Sequence, residues 1–242
     1  METKVLIGCS SYYNNKWKGI FYPDDLPAKQ WFEYYSSQFN TFEINSSFYR
    51  MPTLKSLQSW FEKAPEDFIF SVKAPKAITH EKRFVDCAVE LKLFYEACRG
   101  GLRHKCGPVL FQLPPSLGFS TDGLQQILGK IDPDFTNVIE FRNESWWNED
   151  VYEALRSSGV AFCNVSYPKL PETIIHTSPT GYFRLHGNRR LFYSSYEQEE
   201  LNRILTDLKN SRFETAYVYF NNTASAAGIE NALLLKNFVS KI

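Results

Sequence analysis

The chain has 242 residues, 43% hydrophobic and 22% charged, with 27 basic and 27 acidic side chains. A formal net charge of +0 excludes the global positive field that nucleic acid or an anionic membrane attracts, though a local basic cleft stays compatible. No apolar run is long enough to span a bilayer and no charged-then-apolar leader is visible, so a cytoplasmic protein without membrane contact is expected. Five cysteines (Cys9, Cys87, Cys98, Cys106 and Cys163) with no CxxC spacing read as free buried thiols rather than disulfides or a zinc site.

Along the chain, segments rich in Val, Ile, Phe and Tyr that close on Gly, Pro, Ser or Asn read as strands. The first is KVLIGCS (Lys4 to Ser10). Trp31, Tyr35 and Phe39 then recur at every fourth position, as on a helix face. TFEIN (Thr41 to Asn45), FIFSVK (Phe68 to Lys73) and PVLFQL (Pro108 to Leu113) follow as strands. Leu124, Ile127, Leu128 and Ile131 give the next helical spacing, with Ser120 placed to cap it. NVIEFR (Asn137 to Arg142) and VAFCNV (Val160 to Val165) are the fifth and sixth strands. Pro168, Pro171 and Pro179 then predict an irregular crossover, because proline removes a helix donor and clashes with the preceding turn. YFRLHG (Tyr182 to Gly187) precedes a helix marked by Leu201, Ile204, Leu205 and Leu208. TAYVYFN (Thr215 to Asn221) precedes the last, marked by Leu235, Phe238, Val239 and Ile242.

Strands alternating with helices imply right-handed βαβ units and a parallel sheet. Eight units in this length predict an α/β fold, a (β/α)8 TIM-type barrel occupying residues 1–242 as a single domain. The competitor, an open doubly wound sheet, lacks support because GCSSYYNNKW after the first strand carries no GxGxxG.

In such a fold the site lies at the C-terminal strand ends. Glu43 and Asn45 share one face of the second strand, since alternate residues point the same way. Lys73 ends the third strand and Gln112 nearly ends the fourth. Glu140 and Arg142 are two apart on the fifth, Arg184 and His186 two apart on the seventh, and Asn221 ends the eighth. The apolar neighbours Ile44, Val72, Phe141, Leu185 and Phe220 suit the helix layer. Any one of these polar residues could be a buried hydrogen-bonded pair. Polar ends on six strands together favour a ligand site, because each buried charge needs compensation. Aromatic loop residues Tyr12, Trp17, Tyr22, Trp146 and Trp147 either stack on a sugar or base or form a hydrophobic cap.

Taken together, GCSSYYNNKWKGIFYP, FEINSSFYRMP, FSVKAPKAITH, GPVLFQLPPS, IEFRNESWW, YFRLHG and YVYFNNTASAAGIENA resemble the YecE-like family, a domain of unknown function, over nearly the whole chain. The resemblance implies a TIM-type barrel and supplies no activity. The chain departs from that family's pattern in two places: Ser11 and Tyr12 stand where Gly-Trp is expected, and Ser166 where an Asp is expected.

Three chemistries suit the residues. Metal-assisted hydrolysis could draw on Glu43, Glu140, His80 and His186, but Lys73, Arg142 and Arg184 would crowd a cation. Glycosidase chemistry needs two carboxylates across the scissile bond, which Glu43 and Glu140 could supply. The preferred reading is acid/base chemistry, hydrolase- or isomerase-like, on a small anionic, phosphorylated or sugar-like substrate. Lys73, Arg142 and Arg184 then grip an anion; Asn45, Gln112 and Asn221 fix neutral groups; Glu43 or Glu140 acts as acid or base with His186 as proton partner. Tyr12, Trp17, Tyr49, Arg50, His80 and Trp146 complete the expected substrate-binding set. No cofactor is expected, and a divalent metal stays open. The alternative is a binder of nucleic acid or a phospho-ligand, endonuclease-like, using a rim of Tyr49, Arg50, Lys76, Arg83, Arg189 and Arg190; ordinary solvated charge is the favoured reading of that rim. A purely structural polar core is the third alternative.

Overall fold

The computed structural model describes residues 3–239, so the expected helical position Ile242 lies outside the described residues. The eight expected strands form within a residue or two of their expected bounds: β1 (Lys4–Cys9), β2 (Thr41–Ile44), β3 (Ile69–Lys73), β4 (Cys106–Gln112), β5 (Asn137–Glu140), β6 (Ala161–Ser166), β7 (Thr180–Leu185) and β8 (Thr215–Phe220). Helices α1 (Trp31–Gln38), α2 (Ser46–Tyr49), α3 (Leu54–Lys63), α4 (Ala88–Leu102), α5 (Thr121–Leu128), α6 (Glu149–Ser157), α7 (Gln198–Lys209) and α8 (Ala227–Val239) fill the connections. Residues 167–179 hold no helix, as the prolines require. One sheet takes all eight strands in the order β1-β8-β7-β6-β5-β4-β3-β2, each beside its neighbour in sequence. This is the singly wound α/β order of a TIM-type barrel.

Packing divides the chain into two compact units. The described part of the first comprises residues 3–43, 164–174 and 179–239. Within it β1 and β7 both pair parallel with β8, Thr215 standing opposite Lys4 and Thr180. Phe42 of β2 turns to the helix side, edge-on to Phe32 and Tyr35 of α1. Leu201, Leu205 and Leu208 of α7 are buried, as their helical spacing predicts. Gly8 is required where β1 passes β2: a Cβ there would stand 2.3 Å from the Thr41 carbonyl oxygen.

The second unit comprises Ile44–Cys163 with Ile175–Ser178. Here β3, β4, β5 and β6 pair parallel in order, with Gln112 opposite Glu140. Phe111 of β4 meets Phe94 and Tyr95 of α4, and Phe141 stacks on Trp146 with ring centres 4.4 Å apart. Ser120 caps α5 as its sequence position implies, accepting from Gly123 N at 3.1 Å. The AITH stretch is a single π-helical turn, Ala77–Glu81, which no apolar periodicity announced. The loop after it is strained: Arg83, Phe84 and Asp86 have φ of 48°, 62° and 44°. Phe84 anchors it, wholly buried, and its carbonyl accepts from Gln126 Nε2 at 2.8 Å and from Lys130 Nζ.

Candidate functional site

The polar strand ends fall into two groups, one in each unit. In the first, alternation on β7 puts Tyr182 and Arg184 on the face opposite Phe183, whose ring meets Phe213. Both reach Glu43. Arg184 Nε lies 3.2 and 3.0 Å from the two carboxylate oxygens, and Nη2 lies 2.7 Å from Oε1. Tyr182 donates to Oε2 at 2.6 Å and Ser10 to Oε1 at 2.6 Å. Glu43 and Arg184 are both 0% exposed. A buried charge is tolerable only with such full hydrogen bonding. Burial, and then the Glu43 carboxylate, hold the Tyr182 phenol well above its ordinary pKa, so it stays a neutral donor.

Beyond the end of β7, His186 is also buried. Its Nδ1 stands in hydrogen-bond contact with Asn221 Nδ2 at 3.1 Å. Tyr167 and Phe192 stand edge-on to its ring. Gly187 follows with φ +89°, turning the chain back so that the His186 carbonyl accepts from Phe192 N.

In the second unit, β3, β4 and β5 bring Lys73, Gln112 and Glu140 to adjacent strand ends. Lys73 Nζ donates to Gln112 Oε1 at 2.9 Å and lies 4.0 Å from the centre of the Phe48 ring. Gln112 Nε2 donates in turn to the Leu113 carbonyl at 2.7 Å. Glu140, the last residue of β5 and 0% exposed, forms an ion pair with Nε of Arg142 two residues on. His80 on the π-turn bonds Thr79 Oγ1 through Nδ1 at 2.8 Å and meets Phe48 edge-on. Its pKa lies below the ordinary histidine value: burial first, then Lys73, Arg142 and Arg83 oppose the imidazolium, while Glu140 works the other way. The group is therefore a cationic field around one buried carboxylate and a neutral imidazole.

The remaining expected residues are placed as follows. Asn45 immediately precedes α2, its carbonyl accepting from Phe48 N at 3.1 Å. Tyr49 is 77% exposed and Arg50 is exposed. Tyr12 is half-buried against Phe32 and Phe42. Trp17 and Trp146 are buried, each N–H bound to a carbonyl, Ser225 O at 2.9 Å and Leu117 O at 2.8 Å. Of the two meanings open for those loop aromatics, the packed cap describes both tryptophans. On the basic rim, Lys76 pairs with Glu81 and Arg189 with Glu197. Among the described residues no three His, Cys, Asp or Glu side chains gather as a metal-holding set. The sequence reading missed Tyr182 and Ser10 around Glu43, and Phe48 beneath Lys73. Tyr182 was findable, lying two residues before Arg184 on the same strand face.

A family model described as "Protein of unknown function DUF72" matches residues 6–241. The chain belongs to the DUF72 family. This is the family the motifs above resemble as YecE-like. The UPF0759 protein YunF of Bacillus subtilis is 23% identical over 249 residues, covering 87% of this chain and 86% of YunF. A crystal structure of a DUF72 protein from Thermotoga maritima superposes with a TM-score of 0.88 at 29% identity, over 98% of this chain and 99% of that one. Outside DUF72, D-psicose 3-epimerase, solved in the presence of D-fructose, has a TM-score of 0.57 at 12% identity over 99% of both chains, a likeness of fold alone. No helix among the described residues is long and apolar enough to cross a membrane.

Proposed function

We propose that the group carried by β3, β4 and β5 is the working site of a single-domain enzyme. It holds a small anionic or sugar-like molecule and performs acid/base chemistry on it, of hydrolase or isomerase type. The observation that carries this reading is the environment of His80, where Lys73, Arg142 and Arg83 together oppose a further positive charge. Such a field favours an anion or an oxygen that gains charge in the transition state. Lys73 and Arg142 supply donors, Arg142 in the planar geometry that suits a carboxylate or phosphate. Glu140, steadied by Arg142, is the acid or base, and neutral His80 is the proton partner within the same unit. In this reading Glu43 acts differently: its carboxylate, already met by Arg184, Tyr182 and Ser10, positions those side chains. The epimerase likeness supports only the choice of first substrates, since that protein is named for D-psicose and was solved in the presence of D-fructose, both ketose sugars.

The test is a panel of ketoses, aldoses, their phosphates and nitrophenyl glycosides, incubated with the protein in deuterated water. NMR then follows both solvent-deuterium uptake and hydrolysis. Turnover of a panel member is expected to fall on the order of a hundredfold or more in Glu140→Gln with the melting temperature unchanged. Undiminished turnover in that variant, or no turnover of any class, would overturn the reading.

A further inference from the structure

In the loop after the π-helical turn, Arg83, Phe84 and Asp86 take left-handed φ of 48°, 62° and 44°. For bulky residues such φ values cost free energy and persist only where the surroundings over-determine them. Here they do. Phe84 is wholly buried, its N–H donates to the Ile78 carbonyl at 3.0 Å, and its own carbonyl accepts from Gln126 and Lys130. Val85 N donates to the Lys82 carbonyl at 2.8 Å, and Lys82 Nζ donates to the Asp86 carbonyl at 2.8 Å. The loop is thus fixed in place, and it leaves Arg83 exposed.

Its cations are not engaged alike. Lys76 pairs with Glu81 at 2.9 Å and Lys82 with Glu90 at 2.7 Å. Among the described residues Arg83 pairs with no carboxylate; its Nη2 meets a neutral hydroxyl, Ser116 Oγ, at 3.3 Å. The fold gains only that long hydrogen bond from an arginine here, while glycine would take the same φ without strain. Ser116 lies between β4 and α5, and Asn143 Nδ2 ties that connection to the one after β5, donating to the Pro115 carbonyl at 3.0 Å. Arg83 therefore stands where the connections after β3, β4 and β5 converge, above strands that end in Lys73, Gln112 and Glu140. It is also one of three cations, with Lys73 and Arg142, that act on His80 against Glu140.

Resting on the reading above, we propose that Arg83 selects the substrate: its guanidinium, with the Ser116 hydroxyl, grips the terminal phosphate of a phosphorylated sugar whose sugar end meets the strand-end group. A phosphate monoester suits this cationic setting better than a carboxylate. It carries about −1.5 to −2 charge at pH 7 and offers three strong acceptor oxygens to the planar guanidinium.

Calorimetric titration of the whole protein with inorganic phosphate and with acetate, at ionic strength held constant by sodium chloride, tests the grip without turnover. Phosphate is expected to bind saturably in the millimolar range, and acetate more weakly by about tenfold or more. Arg83→Met and Arg83→Gly should each weaken phosphate by about tenfold or more, the glycine variant while relieving the strain at that position. Circular dichroism melts establish that each variant is folded, and if one fails to fold the other decides. With phosphorylated sugars as substrates, Arg83→Met should raise KM far more than it lowers kcat. Absence of saturable phosphate binding, equal affinity for acetate, or affinity unchanged in a folded Arg83 variant overturns the proposal, even where the sugar panel turns over. Phosphate binding that depends on Arg83, with no panel member turning over, would instead overturn the acid/base reading and leave the phosphate grip standing.

Discussion

Glu43 and Arg184 show what a single buried pair demands of its surroundings. Both are 0% exposed, so neither charge can fall back on water if its partner is lost. Arg184→Met should therefore destabilise the fold by about 3–5 kcal/mol. The double change Glu43→Gln with Arg184→Met should recover part of that loss, because no unpaired charge remains; urea denaturation of the three variants measures the coupling. His80 supplies a pH signature. With its folded pKa below the ordinary 6.5, the unfolded chain binds the proton more readily than the native one. Stability should therefore fall as pH drops below about 6.5, through the window down to the lowered folded value. His80→Gln should flatten that part of the profile in denaturant melts. Removing one of the opposing charges by Lys73→Met should raise the His80 midpoint, read directly from the imidazole proton shifts by NMR. At this scale the sequence showed which residues share a strand face, because alternation is local. It could not show that Glu43 meets Arg184, a partner 141 residues away, since that depends on strand stagger.

The elements owe their limits to identifiable groups. Asn148 precedes α6 with extended backbone and accepts from Val151 N at 3.1 Å. Asn148→Ala should cost about 1 kcal/mol, seen as a lowered melting temperature with unchanged helix content. Gly8→Ala should cost more than this, since its Cβ would meet backbone rather than a yielding side chain. Strand existence was legible from composition and turn residues, and strand ends were less so. Arg142, His186 and Asn221, read as strand termini, lie just past them. The π-turn at Ala77–Glu81 and the strained loop after it were not legible at all. The loop is held by contacts distant in sequence: Phe84 is buried, and its carbonyl accepts from Gln126 of α5 and from Lys130 just past that helix.

For the molecule as a whole, the charge balance bears on the nucleic-acid alternative. With net charge +0, and with Lys76 and Arg189 engaged by carboxylates, phosphate tracking has little to build on. Fluorescence anisotropy with single- and double-stranded oligonucleotides across a salt series should show no salt-dependent binding at physiological ionic strength. A steep negative slope of affinity against salt would revive that alternative.

The sequence by itself determined the strand–helix alternation, the irregular sixth crossover and the family. Each is carried by local periodicity, by proline chemistry or by ordered motifs along one chain. Only the tertiary structure decided which polar strand ends meet. Glu43 proved to be enclosed by Arg184, Tyr182 and Ser10, while Glu140 stands with Arg142 in the unit that holds His80, Lys73 and Gln112. It also decided that a cavity lies beside the irregular crossover. Those outcomes depend on register, helix packing and burial, which no single stretch of residues encodes.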